Sequence, residues 1–264
     1  MTTKHQLDLS AEQLTRFHED GFLMVPNLFP ESMVNLLLEV AHHDRRITEA
    51  TGPNDQTGAL SRIFLRCDLE DDIYSAFARS PRIIDPLEQI FEDEVYQIHH
   101  KMMLKEPRVG GAWEWHQDYG YWYNDRFLFP TMASCMVAVD RASKENGCLQ
   151  VLVGSHRMGR LDHMEVGGQT GADPERVAAA AQRLEIFYCE MEPGTGLFFH
   201  CNTLHRSDQN RSPMSRWSLI CCYNTMGNQS YDGASQAAPV AIDRRSDEQI
   251  TRIGRAQLDN TDTE

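Results

Sequence analysis

Trp113-Glu114-Trp115-His116-Gln117-Asp118-Tyr119-Gly120-Tyr121-Trp122-Tyr123 is the stretch from which the fold and the site can be worked out. On an extended strand, residues two apart point to the same side, so His116 and Asp118 can offer an imidazole nitrogen and a carboxylate oxygen to one metal. A histidine far along the chain would complete a two-histidine, one-carboxylate facial set, which leaves the opposite face of an octahedral iron(II) open. His205 is the candidate. H-x-D alone arises by chance in many chains, and a buried aromatic strand would hide these tryptophans and tyrosines equally well. That plainer reading does not account for an aspartate in such a strand, because an unpaired buried carboxylate is costly and a metal ion offsets the cost.

The second informative stretch runs from Pro193-Gly194-Thr195-Gly196 through Leu204-His205-Arg206-Ser207 to Arg216-Trp217-Ser218. A Pro/Gly turn leads into a short apolar strand, a polar connection carries His205, and a further apolar strand begins at Arg216, a hairpin-like pair. In such a pair Arg216 lies beside His205 on the next strand. Its planar fork can bind a carboxylate bidentately, with Ser207 adding a hydroxyl. An isolated arginine more often pairs with a surface acid, and only the position relative to His205 argues otherwise.

Outward from these segments, the chain changes texture at residue 94. The pattern predicts strands over 95–104, 112–118, 132–139, 148–151, 184–189, 196–200 and 217–223, separated by Gly, Pro and Asn turns. Many short strands of this kind fit a mainly β fold with flanking helices, a double-stranded β-helix or cupin-like jelly roll whose two sheets enclose a pocket. Ahead of it, Ser10 caps a helix over 11–19 with Gly21 just past its end, a strand follows at 22–25, and Pro30 opens a helix with Met33, Leu36, Leu37 and Val40 on one face. Short helices are predicted over 71–78 and 82–91, all packing on one sheet. The stretch 48–60 carries turn signals and no periodicity, which predicts a mobile loop. Residues 167–183, ending in a helix-prone 174–182, read as an insertion near the pocket mouth, and a further helix is expected over 247–258. One domain spanning 1–264 is the simplest organisation: a helical support region 1–93, a jelly-roll core 94–233 and a polar tail 234–264.

The formal net charge of −14, with no basic cluster, argues against a nucleic-acid partner. No apolar run approaches the length of a membrane span, and Met1-Thr2-Thr3-Lys4-His5-Gln6 lacks the hydrophobic core of a secretory signal. The seven cysteines contain no C-x-x-C pair, which suits reduced thiols in the cytoplasm. A small-molecule substrate is the expected partner.

The ordered set of segments resembles the phytanoyl-CoA dioxygenase family of iron(II)- and 2-oxoglutarate-dependent oxygenases, which includes the ectoine hydroxylases. The resemblance spans nearly the whole chain. It runs from Leu9-Ser10-Ala11-Glu12-Gln13 and Glu19-Asp20-Gly21-Phe22-Leu23, through H-x-D and Asn146-Gly147-Cys148-Leu149-Gln150-Val151-Leu152-Val153-Gly154-Ser155-His156-Arg157, to the late histidine and the arginine eleven residues after it. It implies that His116, Asp118 and His205 bind iron, that Arg216 binds the far carboxylate of 2-oxoglutarate, and that loops such as 48–60 cover the active site. Ser207 matches a co-substrate contact of the ectoine hydroxylases. Trp122 matches an aromatic of their pocket, and the neighbouring Tyr119 joins it as a candidate substrate contact. The implied reaction consumes O2 and 2-oxoglutarate, releases succinate and CO2, and hydroxylates a small molecule.

The chain departs from the ectoine hydroxylases at His99 and Met103, where they read Gln and Asn, so contacts there do not carry over. Halogenating relatives replace the aspartate with a small residue; Asp118 favours hydroxylation. Two other readings use the same ligands: a cupin-like metal-binding protein without oxygenase activity, as sensor or degenerate relative, and a metal-dependent hydrolase or isomerase. Neither has a use for Arg216.

Overall fold

The computed structural model describes residues 8–233 and 239–261. The stretch 1–6 that bears on secretion and the start of the tail at 234 lie outside the described residues.

Local sequence signals set the helical layer. Ser10 closes a capping box with Gln13, its hydroxyl accepting from the Gln13 N–H at 3.2 Å and the Gln13 amide oxygen accepting from the Ser10 N–H at 2.8 Å. This starts α1 (Ala11–Asp20), which Gly21 ends in the left-handed region at φ 82°, turning the chain into β1 (Phe22–Val25). Pro30 stands at the N-cap of α2 (Glu31–His43), which a single turn, α3 (Arg45–Thr48), follows. After β2 (Arg62–Arg66) come α4 (Ile73–Ala78), capped by Asp72, and α5 (Pro81–Phe91), capped by Ser80 with Pro81 in its first turn.

The remaining chain is mostly strand: β3 (Val95–Lys105), β4 (Trp113–His116), a short α6 (Asp118–Trp122), β5 (Met132–Ala138), β6 (Leu149–Leu152), β7 (His163–Val166), β8 (Gln169–Ala172), α7 (Pro174–Ala181), β9 (Ile186–Cys189), β10 (Gly196–His200), β11 (His205–Ser207) and β12 (Arg216–Thr225). It closes with α8 (Asp247–Thr261). The strands form a six-stranded antiparallel sheet ordered β1-β10-β5-β12-β3-β2, a four-stranded one ordered β4-β11-β6-β9, and the hairpin β7-β8. This is the expected jelly roll with helices on one sheet. No helix among the described residues is long and apolar enough to cross a membrane.

Strand alternation sorts the side chains into two cores. On β12, Trp217, Leu219, Cys221 and Tyr223 pack with helical residues such as Phe17, Val34, Leu37 and Phe77. Ile220 and Cys222 point the other way, toward the second sheet, with Met136 of β5, Leu197 and Phe199 of β10, and Leu149 and Val151 of β6. The tail is not merely polar. Ile250 of α8 enters the helix-side core, and Asp247 takes a forked hydrogen bond from Arg82 at 2.6–3.2 Å.

Three expectations change. The strand through H-x-D ends at His116, and Asp118 begins α6, so the two side chains converge across a strand-to-helix turn. The hairpin-like pair does not form: β10 and β12 both pair with β5, while β11 pairs with β4 and β6 in the other sheet. Arg216 therefore faces His205 across the pocket, because the jelly roll sends successive strands to opposite sheets. The 48–60 loop is tied down rather than free. The buried Asp55 accepts from Thr57 N–H, Thr57 hydroxyl and Ala59 N–H through one oxygen, and from Ala112 N–H and Gln209 through the other, at 2.7–3.0 Å. Beyond these, α3, β2 and the β7-β8 hairpin had no periodic signature strong enough to predict.

Burial alone would raise the Asp55 pKa, but the donors from Ala112, Gln209 and Thr57 outweigh it and hold the carboxyl below the usual carboxylate range. A carboxyl depressed on folding stabilises above its unfolded pKa of about 3.9, and that contribution fades as pH falls through the folded value. Asp55→Asn leaves the same donors one acceptor oxygen short and should cost roughly 1–3 kcal/mol at pH 7. Denaturant unfolding of wild type and variant at descending pH should show the gap closing below about pH 4.

Candidate metal centre and co-substrate pocket

Each ligand candidate is placed by a different element. His116 ends β4 and pairs across the sheet with His205, the first residue of β11, their ring centroids 4.0 Å apart. Asp118 opens α6. Its Oδ1 lies 4.0 Å from His116 Nε2 and 3.8 Å from His205 Nε2, and one ligand atom from each of the three falls within 4.8 Å of the others. All three are buried.

Hydrogen bonds set the protonation of the imidazoles. His116 Nδ1 donates to the Glu114 carbonyl at 2.8 Å and His205 Nδ1 to the Thr203 carbonyl at 2.9 Å, since a carbonyl can only accept. Both Nε2 atoms therefore carry lone pairs, and both point at Asp118. Burial pushes His116 well below its usual pKa and His205 below its own, so both rings are neutral. For Asp118, burial alone would raise the pKa. The charge of Lys101 and the hydrogen bond from the Ser134 hydroxyl act against that, and the carboxyl stays ionised, its pKa below the usual value. Ser134 Oγ donates to Asp118 Oδ2 at 2.7 Å, leaving Oδ1 for the shared space. Two neutral imidazoles and a carboxylate with free lone pairs converging on one point match a divalent first-row metal, and each has an outer partner orienting it.

The triad forms one end of a pocket between the sheets, also lined by Lys101, Met103, Trp113, Met136, Leu149, Phe199, Arg206, Ser207, Arg216 and Ile220. Arg216 is buried, with Nη1 donating to Ser218 Oγ at 3.1 Å and Nη2 to the Gly147 carbonyl at 3.0 Å. Its Nε has no partner, and it has no ion pair among the described residues. Burial lowers its pKa to about 10, so it is still a cation at neutral pH. A buried guanidinium with an unused donor fits a carboxylate supplied by a ligand. Ser207, also buried, lies on the opposite wall, the sheet that carries both imidazoles, between Trp113 and Leu149 on the neighbouring strands.

Of the residues singled out in the sequence, His116, Asp118, His205, Ser207 and Arg216 line this one cavity. Tyr119 and Trp122 do not. The Tyr119 hydroxyl donates to the Phe127 carbonyl at 3.0 Å, and the Trp122 ring meets His99 edge-on at 6.0 Å. Of the other aromatics, the Phe199 ring lies 4.9 Å from that of His205 and the Tyr121 ring 5.7 Å from that of His116. Sequence reading passed over Lys101, whose ammonium has no hydrogen-bond or ion-pair partner among the described residues. Alternation from His99 through Lys101 to Met103 on β3 was the available signal. Ser134, Gln117 and His163 were also missed. They come from separate segments, and nothing in their local context marks them.

The model of the phytanoyl-CoA dioxygenase (PhyH) family matches residues 17–218. An ectoine dioxygenase of Bordetella bronchiseptica is 32% identical over 240 residues, covering 83% of this chain and 77% of that protein. The L-proline trans-4-hydroxylase of Streptomyces griseoviridis is 24% identical over 229 residues, covering 81% and 85%. Among solved structures, EctD from S. alaskensis with 2-oxoglutarate and 5-hydroxyectoine has a TM-score of 0.76 at 23% identity, over 92% of this chain and 89% of that one.

The turn that carries His116 and Asp118 is packed against the β7-β8 hairpin without slack. A Cβ at Gly120 would come within 2.0 Å of the His163 ring, which is held at Nδ1 by the Leu161 carbonyl and at Nε2 by the Gln117 N–H. Gly120→Ala should therefore destabilise by about 1–3 kcal/mol, as overpacking does. In a His163→Ala background most of that cost should vanish, a coupling that denaturant midpoints for the four proteins would reveal.

Proposed function

Because the chain belongs to the phytanoyl-CoA dioxygenase family, we propose that His116, Asp118 and His205 hold its iron(II), and that Arg216 with Ser207 grips the far carboxylate of 2-oxoglutarate. The activity is that of an iron(II)- and 2-oxoglutarate-dependent dioxygenase hydroxylating a small molecule. The observation that carries the residue assignment is the buried Arg216, a cation with no ion pair among the described residues, in the same pocket as three converging lone-pair donors.

When bound, iron(II) with 2-oxoglutarate and O2 supplies the oxidising equivalents, and succinate and CO2 leave as the co-substrate's products. The chain's own residues bind, orient and shield. The Glu114 and Thr203 carbonyls keep both imidazoles in the tautomer that presents Nε2, so binding displaces no proton from either ring. Ser134 fixes the rotation of Asp118. 2-Oxoglutarate is a dianion, and the pocket offers two cations, Arg216 at one end and Lys101 near Asp118, so its charge is matched at both carboxylates. Met103, Met136, Leu149, Phe199 and Ile220 make the walls between them apolar, which excludes water and strengthens those contacts.

For the substrate, the relatives' names favour a compact metabolite on the scale of ectoine or L-proline over a long acyl-CoA chain. Trp113 and Phe199 give the pocket an aromatic wall beside the ligand candidates. The seven free cysteines support a cytoplasmic location, and the acidic balance supports the absence of a nucleic-acid partner.

Anaerobic titration of the iron(II)-loaded protein with 2-oxoglutarate should develop the weak visible charge-transfer band of the chelate. His205→Ala should abolish it, and Arg216→Ala should weaken the apparent affinity by at least tenfold, in line with the loss of a charge-assisted hydrogen bond of about 1.5–3 kcal/mol. No band in the folded wild type, or an undiminished one in Arg216→Ala at limiting 2-oxoglutarate, overturns the assignment. Succinate release should rise above its background with compact metabolites such as ectoine or L-proline and stay flat with acyl-CoA.

A further inference from the structure

The middle residue of H-x-D is not a spacer. Gln117 is completely buried, and every polar atom of its side chain is used. Its Nε2 donates to the Gly159 carbonyl at 2.8 Å and to the Asn202 carbonyl at 2.7 Å, while its Oε1 accepts from the Leu161 N–H at 2.7 Å. Its backbone N–H donates to His163 Nε2 at 3.0 Å. The residue between the first two ligand candidates thus reaches both the segment leading into β7 and the backbone three residues before His205.

The contact with Asn202 is the consequential one. The Asn202 carbonyl belongs to the peptide joining it to Thr203, and the Thr203 carbonyl takes the His205 Nδ1 proton. A shift of that peptide moves the ring of the third ligand. We propose that Gln117 is a positioning residue that sets the separation between the His116–Asp118 turn and His205 through its amide bond to Asn202. This rests on the assignment of those three residues as metal ligands.

The geometry demands this side chain. Two carbonyls and one N–H face it, so its partner must carry two donors and one acceptor at glutamine's reach. Asparagine has the chemistry but is one methylene short, glutamate lacks the donors, and methionine has the volume with neither. The same two segments are also joined backbone to backbone, by the pairing of His116 with His205 and by a hydrogen bond from the Tyr119 N–H to the Cys201 carbonyl at 3.0 Å. These ties keep them together when the amide is lost. Removing the amide should loosen ligand geometry more than it unfolds the chain, and metal ligands tolerate displacements of only a few tenths of an ångström.

The test is titration of the full-length apoprotein with Mn(II), following free ion by electron paramagnetic resonance, with circular dichroism and thermal melts on the same samples. Gln117→Met should fold and bind Mn(II) about 10–100-fold more weakly than wild type, the range for loss of a partner that orients metal ligands. Gln117→Asn, which keeps a polar group in place, should also weaken binding and guards against a methionine variant that fails to fold. Val34→Ala, a cavity in the helix-side core, should lower the melting temperature and leave Mn(II) affinity unchanged, separating positioning from general destabilisation. Folded Gln117 variants with wild-type affinity overturn the inference while leaving the ligand assignment intact. A folded wild type that binds no metal overturns both.

Discussion

An ionised carboxylate buried between two neutral imidazoles is the constraint on which the rest of the structure depends. Taken out of water without compensation, such a charge costs several kcal/mol. The protein compensates Asp118 only in part, with the Ser134 hydroxyl on one oxygen and the charge of Lys101 nearby. The other oxygen faces two nitrogen lone pairs, an arrangement that is repulsive until a cation enters it. Backbone carbonyls keep the protons on the far side of both rings, so the repulsion cannot be relieved by moving a proton between the three groups.

The two sheets divide the work around that point. The four-stranded sheet supplies both imidazoles and Ser207, and the turn into α6 supplies the carboxylate. The six-stranded sheet supplies Arg216, Lys101 and Ser134 from three adjacent strands, β12, β3 and β5. The other pocket residues of this sheet, Met103, Met136, Phe199 and Ile220, are apolar, and its outer face is buried under the helices, so the cations are carried on a rigid wall. Cations on one wall and the candidate metal ligands on the other suit a dianionic ligand that must reach both. Around this, Asp55 fastens the 48–60 loop to the start of β4, and His163 and Gln117 fasten the β7-β8 hairpin and the His205 segment to the His116–Asp118 turn.

Much of this was legible in the chain, for reasons that differ residue by residue. Ser10 with Gln13 and Gly21 delimit α1 by local hydrogen bonding and a backbone angle, so sequence alone suffices. The strands of the jelly roll announce themselves as short apolar runs between Gly, Pro and Asn turns. His116, Asp118, His205 and Arg216 are rare residue types in apolar or aromatic context, and their ordered spacing is what makes them recognisable. Lys101 and Ser134 were hidden because one lysine or serine on a strand looks like any other until its facing partner is known. Tyr119 and Trp122 illustrate the reverse: aromatic identity marked them as pocket residues, and packing directed both elsewhere.

By itself, then, the sequence determined most of the elements, the fold class and the identity of the candidate ligands with Arg216, because caps, apolar patterning and ligand chemistry act within a few residues or through side-chain type. Only the tertiary structure decided how they converge. His116 and Asp118 meet across a strand-to-helix turn and not along a strand, and Arg216 faces His205 from the opposite sheet. Gln117 closes the gap between the segments that carry the ligands. These are relations between residues tens of positions apart, set by which strand pairs with which and by which backbone carbonyls come within 3 Å of a side chain, and no local pattern encodes them.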